Sequence, residues 1–432
     1  MDAPPTRRSL AQVLALNRTV AVVLASVLFF GLGEQLWSQF MPVYLEGEAK
    51  AVRQQAVQAE TVPWSALLLV GAYAALRNLL EACCYVGGGR LTASLGDRGS
   101  MMLFGALTVT GYVLFLLAGQ WPAVAILAAL LILGWEPLSV PVTFTTVGST
   151  VSASGHGMAF ALQSIQKRLP KILGPLIAGF VLQATKDRYG DETGIALGMR
   201  WLIAASLGLG VASLALQFRF MPDSSMRGTA RATINQPSMR AIMRDFDPLL
   251  KRLLIAEVFT RWCDWLIREF VVLYVVLVRG VSLREFGVLV AVQNLTALLT
   301  YLPIGQLTKR AGLQPFVGVT FIFFALFPLV LALVPAGPLW LGLAFVVNGL
   351  REIGEPARKA LITTRMPEAV RARGVGLYWG IRSFAMCPAA LVGAVLWNIF
   401  GPQVLLYTAF GCGCVGATVF YLLCRRDATP AA

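Results

Sequence analysis

Glu34-Gln35-Leu36-Trp37-Ser38-Gln39-Phe40, running on to Tyr44, and Asp264-Trp265-Leu266-Ile267-Arg268-Glu269-Phe270, running on to Tyr274, are two readings of one pattern. Acid matches acid, and Leu36, Phe40 and Tyr44 match Leu266, Phe270 and Tyr274 at one constant separation. Two further matches follow in the same order. Asn78-Leu79 recurs as Asn294-Leu295, Gly89-Arg90-Leu91-Thr92 as Gly305-Gln306-Leu307-Thr308, and Gly96 as Gly312. Glu136-Pro137 then recurs as Glu355-Pro356, with Gly157 matching Gly376. The separation shrinks after the first pair by about the length of the polar insert at 46–61. Three matches in chain order mark an internal repeat and not a coincidence.

The repeat lies in a chain that cannot face water over most of its surface. The 432 residues are 57% hydrophobic and 13% charged, where a soluble domain carries about 25% charged residues. With roughly 20 apolar residues per crossing, the length fits about a dozen helices. The apolar stretches predict spans at 19–45, 63–92, 101–118, 121–147, 156–184, 195–220, 249–279, 283–308, 315–334, 339–365, 374–400 and 403–424. The expected fold is therefore all-α and polytopic, in two pseudo-symmetric six-helix bundles. Segment 1–18 is an N-terminal tail, 19–220 the first bundle, 221–248 a solvated linker, 249–424 the second bundle and 425–432 a tail. The first apolar run is too long for a cleaved signal segment.

The net charge of +14 would suggest nucleic acid in a soluble chain; here it follows the positive-inside pattern. With the N-terminus inside, inner segments hold 19 Lys and Arg and outer segments 7. Both termini and the linker are thus expected on the cytoplasmic side. The seven cysteines lack zinc-ligand spacing and His156 is the single histidine. No His-Glu-x-x-His, Gly-x-Ser-x-Gly or P-loop pattern occurs. The sequence calls for no metal, cofactor or nucleic acid, and for no enzyme chemistry.

Eighteen ionisable residues nevertheless fall inside the predicted spans. The acids are Glu34, Glu81, Glu136, Glu257, Asp264, Glu269, Glu352 and Glu355; the bases are Arg77, Lys167, Arg168, Lys171, Arg261, Arg268, Arg351, Arg358, Lys359 and Arg382. Each costs about 2.5–3.5 kcal/mol at a helix centre on the mild insertion scale, so they must face one another or a wet cavity. Their spacing agrees. Glu257, Arg261, Asp264 and Arg268 share one helical face, as do Asn348, Glu352, Glu355 and Lys359, and as do Gln163, Gln166, Lys167 and Lys171. Arg77 and Glu81 stand one turn apart, as a local ion pair would. Glu257 is expected at the cytoplasmic rim, and Arg358 and Lys359 are expected to snorkel toward the cytoplasmic mouth. Pro137, Pro141 and Pro356 remove backbone donors in mid-span.

The whole chain resembles the major facilitator superfamily. Gly89-Arg90-Leu91-Thr92-Ala93-Ser94-Leu95-Gly96-Asp97-Arg98 is similar to its loop motif, although Ala93 and Ser94 stand where the family has Asp and Arg. Gly89, Gly96, Asp97 and Arg98 are the conformational residues the resemblance implies. Gly174-Pro175-Leu176-Ile177-Ala178-Gly179 resembles the family's antiporter packing motif, with Gly174, Pro175 and Gly179 as the close-packing positions. Gly354-Glu355-Pro356-Ala357-Arg358-Lys359 and Gly376 to Arg382 resemble stretches of uncharacterised bacterial members. The resemblance implies a monomeric secondary transporter in a bacterial inner membrane. It would move a small organic solute by alternating access with H+ as partner, as symporter or antiporter.

Two parallel repeats place a site between them at the bilayer midplane. Glu34, Asp264, Glu136 and Glu355 are the candidate proton carriers. Lys167, Lys171, Arg382, Gln163, Glu352 and Arg261 are the candidate substrate contacts, and the excess of bases favours an organic anion. A lipid or amphiphile flippase or a drug exporter of the same fold is the nearest alternative. A non-transporting sensor or an intramembrane enzyme is the alternative from another class.

Overall fold

The computed structural model describes residues 18–51, 62–118, 121–139, 156–221, 239–335, 337–366 and 371–424. Pro141, residues 52–61 of the polar insert and residues 222–238 of the linker lie outside them. Every regular element among the described residues is helical. In chain order they are α1 (Arg18–Gln35), a 3-10 turn (Ser38–Phe40), α2 (Met41–Ala51), α3 (Trp64–Leu117), α4 (Pro122–Leu133), α5 (His156–Tyr189) and α6 (Asp191–Phe220). There follow α7 (Met239–Arg244), α8 (Pro248–Ile267), α9 (Phe270–Leu273), a π turn (Tyr274–Val278), α10 (Leu283–Ala311) and α11 (Gln314–Leu333). The chain closes with α12 (Pro338–Leu350), α13 (Glu355–Thr364), α14 (Arg371–Met386) and α15 (Ala389–Cys424).

Helix starts follow local chemistry. Asp247 caps α8, its carboxylate accepting from the Leu249 amide at 2.7 Å with Pro248 at the first helical position. Ser282 and Glu285 form a reciprocal capping box at α10, the Glu285 amide donating to Ser282 Oγ and the Ser282 amide to Glu285 Oε2. Gly96 bends the long α3 at φ 71°, and its repeat partner Gly312 sits between α10 and α11 at φ 78°. Both are left-handed conformations that a side chain disfavours, which explains the glycine in both copies of the loop.

Seven helices among the described residues are long and apolar enough to cross a membrane. They include Ala21–Glu48, Trp64–Gly88, Arg98–Leu117 and Gln314–Leu333. The seventh, Arg373–Cys424, has 52 residues and bends at Gly401. At about 1.5 Å per residue it is long enough to cross twice. The number falls short of the predicted dozen for a physical reason. α5, α8 and α13 carry nine of the eighteen intramembrane charges, which lowers their apolarity below that of a plain lipid-facing helix, and α12 and α13, at 13 and 10 residues, are each too short to span alone.

The helix breaks recur near matching positions of the repeat. α1 gives way to a tight turn directly after Glu34-Gln35, and α8 gives way at Arg268-Glu269, the positions matching Ser38-Gln39. α4 breaks at Gly134 and resumes over 135–139, while the α12–α13 pair breaks over 351–354, the matching stretch. Pro137 and Pro356 sit just beyond these two breaks. Each lacks the N–H that would bond the carbonyl four residues back and crowds that carbonyl with its ring.

The apolar core has a polarity of its own. At the end away from the α1 N-terminus one cluster joins early and late helices, among them Phe40, Tyr73, Phe115 and Leu182 with Phe270, Phe286, Phe345 and Trp397. Phe40 meets Phe286 edge-on at 5.6 Å across this seam. At the opposite end the core is divided. Val23, Phe30, Phe104 and Trp135 form one cluster, and Leu250, Phe321, Leu361 and Tyr378 form another. Among the described residues the apolar core is thus continuous at one end and divided at the other.

The end of the linker departs from the solvated tether expected of it. Ile242 and Phe246 are buried in the second of those divided clusters, with Phe246 against Tyr378. The apolar side chains carried on α7 and its following turn bind this segment to the late helices.

Candidate functional site

Where the core divides, the charged side chains gather. Gly31, Glu34 and Gln35 of α1, Trp135 and Glu136 beyond the α4 break, and Lys167, Pro170 and Lys171 of α5 line a small open cleft. Glu34 is 3% exposed. Its carboxylate accepts from Trp135 Nε1 at 3.0 Å and from Gln35 Nε2 at 3.3 Å. Among the described residues no cation lies within ion-pairing distance of it. Glu136 and Lys167 pair loosely at 3.8 Å, with side chains 39% and 37% exposed. They are the wettest of the ion pairs in the cleft that join two different helices.

The late helices form a tighter ionic wall. Asp264, 4% exposed, is held by Arg351 and by Arg268, the latter at 3.8 Å. Glu355 accepts from Arg358 at 2.5 Å and lies 3.5 Å from Arg261 and 3.4 Å from Lys359. Arg358 also pairs with Glu257. The cation faces of Arg261 and Arg351 lie over the Phe324 ring at 4.7 and 5.0 Å.

Among the described residues two ion pairs cross from early to late helices. Arg168 donates to Glu352 at 2.5 Å, to Asn294 Oδ1 at 3.2 Å and to the Tyr301 hydroxyl. Arg77 donates to Glu269 at 3.3 Å while keeping Glu81 at 3.6 Å. The repeat-related asparagines serve the two matching seams. Asn78 donates to the Met386 carbonyl where α3 meets α14, and Asn294 receives Arg168 where α10 meets α5.

No family model matches the sequence, and no curated protein matches it. Solved structures do. The human organic anion transporter MFSD10 aligns over 93% of this chain and 98% of its own at 17% identity and a TM-score of 0.67. A D-xylose–proton symporter aligns over 94% and 96% at 14% identity and 0.69. A POT family transporter solved with a thioalcohol-conjugated peptide aligns over 96% and 100% at 14% identity and 0.71. The chain has the major facilitator fold. All three of these neighbours are transporters by description.

In the loop motif of that fold, Gly89 and Gly96 lie at the end of the first limb of α3 and at its bend, and the Asp97 side chain lies outside the described ones. Arg98 donates to the Phe218 carbonyl at 3.0 Å and stacks on the Phe218 ring, so this arginine ties α3 to α6. In the packing motif, Gly174 lies against Gln35 of α1. Gly179 lies against α10, where a Cβ would come 2.6 Å from the Leu283 carbonyl oxygen and 3.2 Å from Gly287 Cα. The absence of a side chain at Gly179 is what lets the two helices touch.

Of the residues named from sequence, Glu34, Glu136, Lys167 and Lys171 come together in one cleft. Asp264, Glu352, Glu355 and Arg261 come together in the ionic wall. Arg382 of α14 lies on the side of the ionic wall, within electrostatic reach of Glu257 and Arg261. Gln163 and Gln166 lie in α5, with side chains outside the described ones. Two expectations are corrected. Glu257 is not a rim residue but 1% exposed, and Arg358 does not snorkel but is 2% exposed. Each supplies the other's counter-charge, which removes the drive to reach water. Lys359, at 54% exposed, does extend toward solvent. Sequence reasoning missed Trp135, Tyr301 and Asn294 as site residues, because a neutral donor in an apolar run looks like packing. It also read Arg77 as a purely local partner of Glu81, since nothing in the sequence brings α3 beside Glu269.

Proposed function

We propose that this protein is a secondary active transporter that moves a small organic solute by alternating access and couples the movement to protons. In this reading α1–α6 and α8–α15 make two six-helix bundles with twelve crossings, α3 and α15 each supplying two. Both termini face the cytoplasm, and the cleft opens to that side. The membrane is a bacterial inner membrane, as the resemblance implies, and the working unit is the monomer.

The observation that carries this reading is the split core. One apolar cluster seals both groups of helices at one end, and two separate clusters flank a charged cleft at the other. A fixed scaffold or sensor has no use for an unsealed cleft lined by buried charges, because each buried charge carries a desolvation cost. A carrier needs both.

Glu34 is the acid we assign to the proton. Loading a proton there removes a buried charge that only neutral donors hold. Loading one on Asp264 would instead remove the carboxylate that Arg351 and Arg268 share. Glu355 is held by three cations, and Glu136 shares its charge with Lys167, so Glu34 is the acid whose neutralisation breaks no ion pair.

The test is to reconstitute the protein with a pH dye in the vesicle lumen and present organic acids, sugars and peptides in turn. At least one solute should carry protons with it, and Glu34→Gln should bind that solute while moving no protons. Proton flux unchanged by Glu34→Gln would overturn the assignment, and no solute-dependent flux at all would overturn the transporter reading.

A further inference from the structure

A basic surface lies outside the cleft lining, on the end of the linker. One face of α7 and its following turn holds to the late helices. Ile242 and Phe246 are buried there, and Asp247 pairs with Arg365 at 3.2 Å. The other face carries Arg240, Met243 and Arg244, all exposed and spaced one helical turn apart. Lys251 of α8, also exposed, donates to the Arg244 carbonyl at 2.7 Å, so the first turn of α8 continues this surface. Asp245 lies 3.7 Å from Arg244. Among the described residues Arg240 and Lys251 have no carboxylate within 4 Å. On this face three cations therefore stand against one acid.

The neighbouring surface points to what covers it. Beyond Lys251 the same side of α8 turns apolar, with Ile255 50% and Phe259 41% exposed at the next two turns. α8 runs antiparallel to α15. Gly416 lies against Thr260, and Arg252 donates to the Leu423 carbonyl at 3.3 Å. α15 belongs to a stretch long and apolar enough to span a membrane, and Leu422 at its end is 66% exposed. Basic side chains thus give way to exposed apolar ones at the end of a span, which is the level of lipid headgroups. A soluble acidic partner would match the cations but leave Met243 and Ile255 uncovered. A phospholipid with an anionic head matches both.

We propose that Arg240, Met243, Arg244 and Lys251 form a binding surface for the head of an anionic phospholipid, with its acyl chains along Ile255 and Phe259. The guanidiniums suit a phosphate oxygen pair, and the negative surface of an anionic leaflet draws all three cations. Ile242 and Phe246, on the other face of the same segment, belong to one of the two divided core clusters. A lipid bound on the outer face therefore clamps the end of the linker onto the late helices. In the orientation proposed above this is the cytoplasmic leaflet, but the surface needs neither that orientation nor transport.

The experiment measures thermal unfolding of the full chain in nanodiscs of phosphatidylcholine alone and of phosphatidylcholine with phosphatidylglycerol. Phosphatidylglycerol should raise the Tm by about 2–3 °C. Arg240→Gln combined with Arg244→Gln and Lys251→Gln should lose most of that rise while unfolding like the parent in phosphatidylcholine alone. Arg240→Lys with Arg244→Lys, which keeps the charge, should keep most of the rise, and this separates lost lipid binding from misfolding. Arg200→Gln, exposed on α6, should keep all of it, which separates this surface from a general effect of charge. Inorganic phosphate and polyglutamate, added to discs of phosphatidylcholine alone, should give no rise. The proposal is overturned if phosphatidylglycerol does not outperform phosphatidylcholine, if the neutral variant keeps the rise, or if phosphate or polyglutamate reproduces it. A protein that shows the lipid effect yet moves no solute would overturn the transporter reading and leave this surface standing.

Discussion

Trp135 Nε1 donates to Glu34 Oε2 at 3.0 Å, and the repeat counterpart of this donor is a glycine. Gly354, the residue matching Trp135, has no side chain to offer Asp264, the acid matching Glu34. It is packed against the Phe316 carbonyl, and its amide donates to Thr320 Oγ1 at 2.6 Å. Arg351 reaches Asp264 in the indole's place. Two differences between the copies, Gly354 against Trp135 and Arg351 against Ile132, thus replace a neutral donor by a cation. The two acids that sequence symmetry makes equivalent differ in charge balance for that reason.

Asp264 is accordingly structural in this account. Asp264→Asn takes from the buried Arg351 guanidinium its nearer counter-charge and leaves it Glu352 at 3.9 Å, and breaking such a pair costs about 3–5 kcal/mol. Thermal unfolding in detergent should show a large drop for Asp264→Asn and a much smaller one for Glu34→Gln. Equal drops would remove the distinction.

Arg168 and Glu352 should be energetically coupled across the two groups of helices. Glu352→Gln leaves Arg168 with no carboxylate and Arg168→Gln leaves Glu352 only Arg351 at 3.9 Å, while the double variant removes both charges. A double-mutant cycle in unfolding free energy should return a coupling of about 0.5–3 kcal/mol. Additive effects would mean that the contact is incidental.

Close approach at Gly179 sets the α5–α10 seam. Gly179→Leu should separate the helices and cost about 1–3 kcal/mol or more by overpacking. Gly208, with no heavy atom near its missing Cβ, should accept alanine without loss. Comparing unfolding midpoints of Gly179→Leu, Gly179→Ala and Gly208→Ala checks the ordering.

Much of the architecture was legible in the sequence because membrane helices announce themselves by length and apolarity. The repeat was legible because Glu34, Asn78 and Glu136 recur with their neighbours. The helix breaks were half visible. Pro137 and Pro356 marked the bends in α4 and α12–α13, but nothing marked the turn after Gln35. Hidden entirely was the partner choice of each charge. Helical spacing placed Arg77 near Glu81, yet the Glu269 contact depends on how α3 meets α8 across the fold. Likewise the seating of Glu257 against Arg358 depends on packing between α8 and α13, which no local pattern encodes. The depth of a charge along one span is a poor guide to burial once another span can cover it.

The most direct test of the split-core account is a pair of distances in the reconstituted protein. Spin labels at Leu95 and Met243, both exposed, report on the open end. Labels at Trp121 and Leu339, also exposed, report on the sealed end. Shifting the pH across the range that drives transport should shorten the first distance as it lengthens the second. Distances that stay fixed, or that change in the same direction, would contradict alternating access around this cleft.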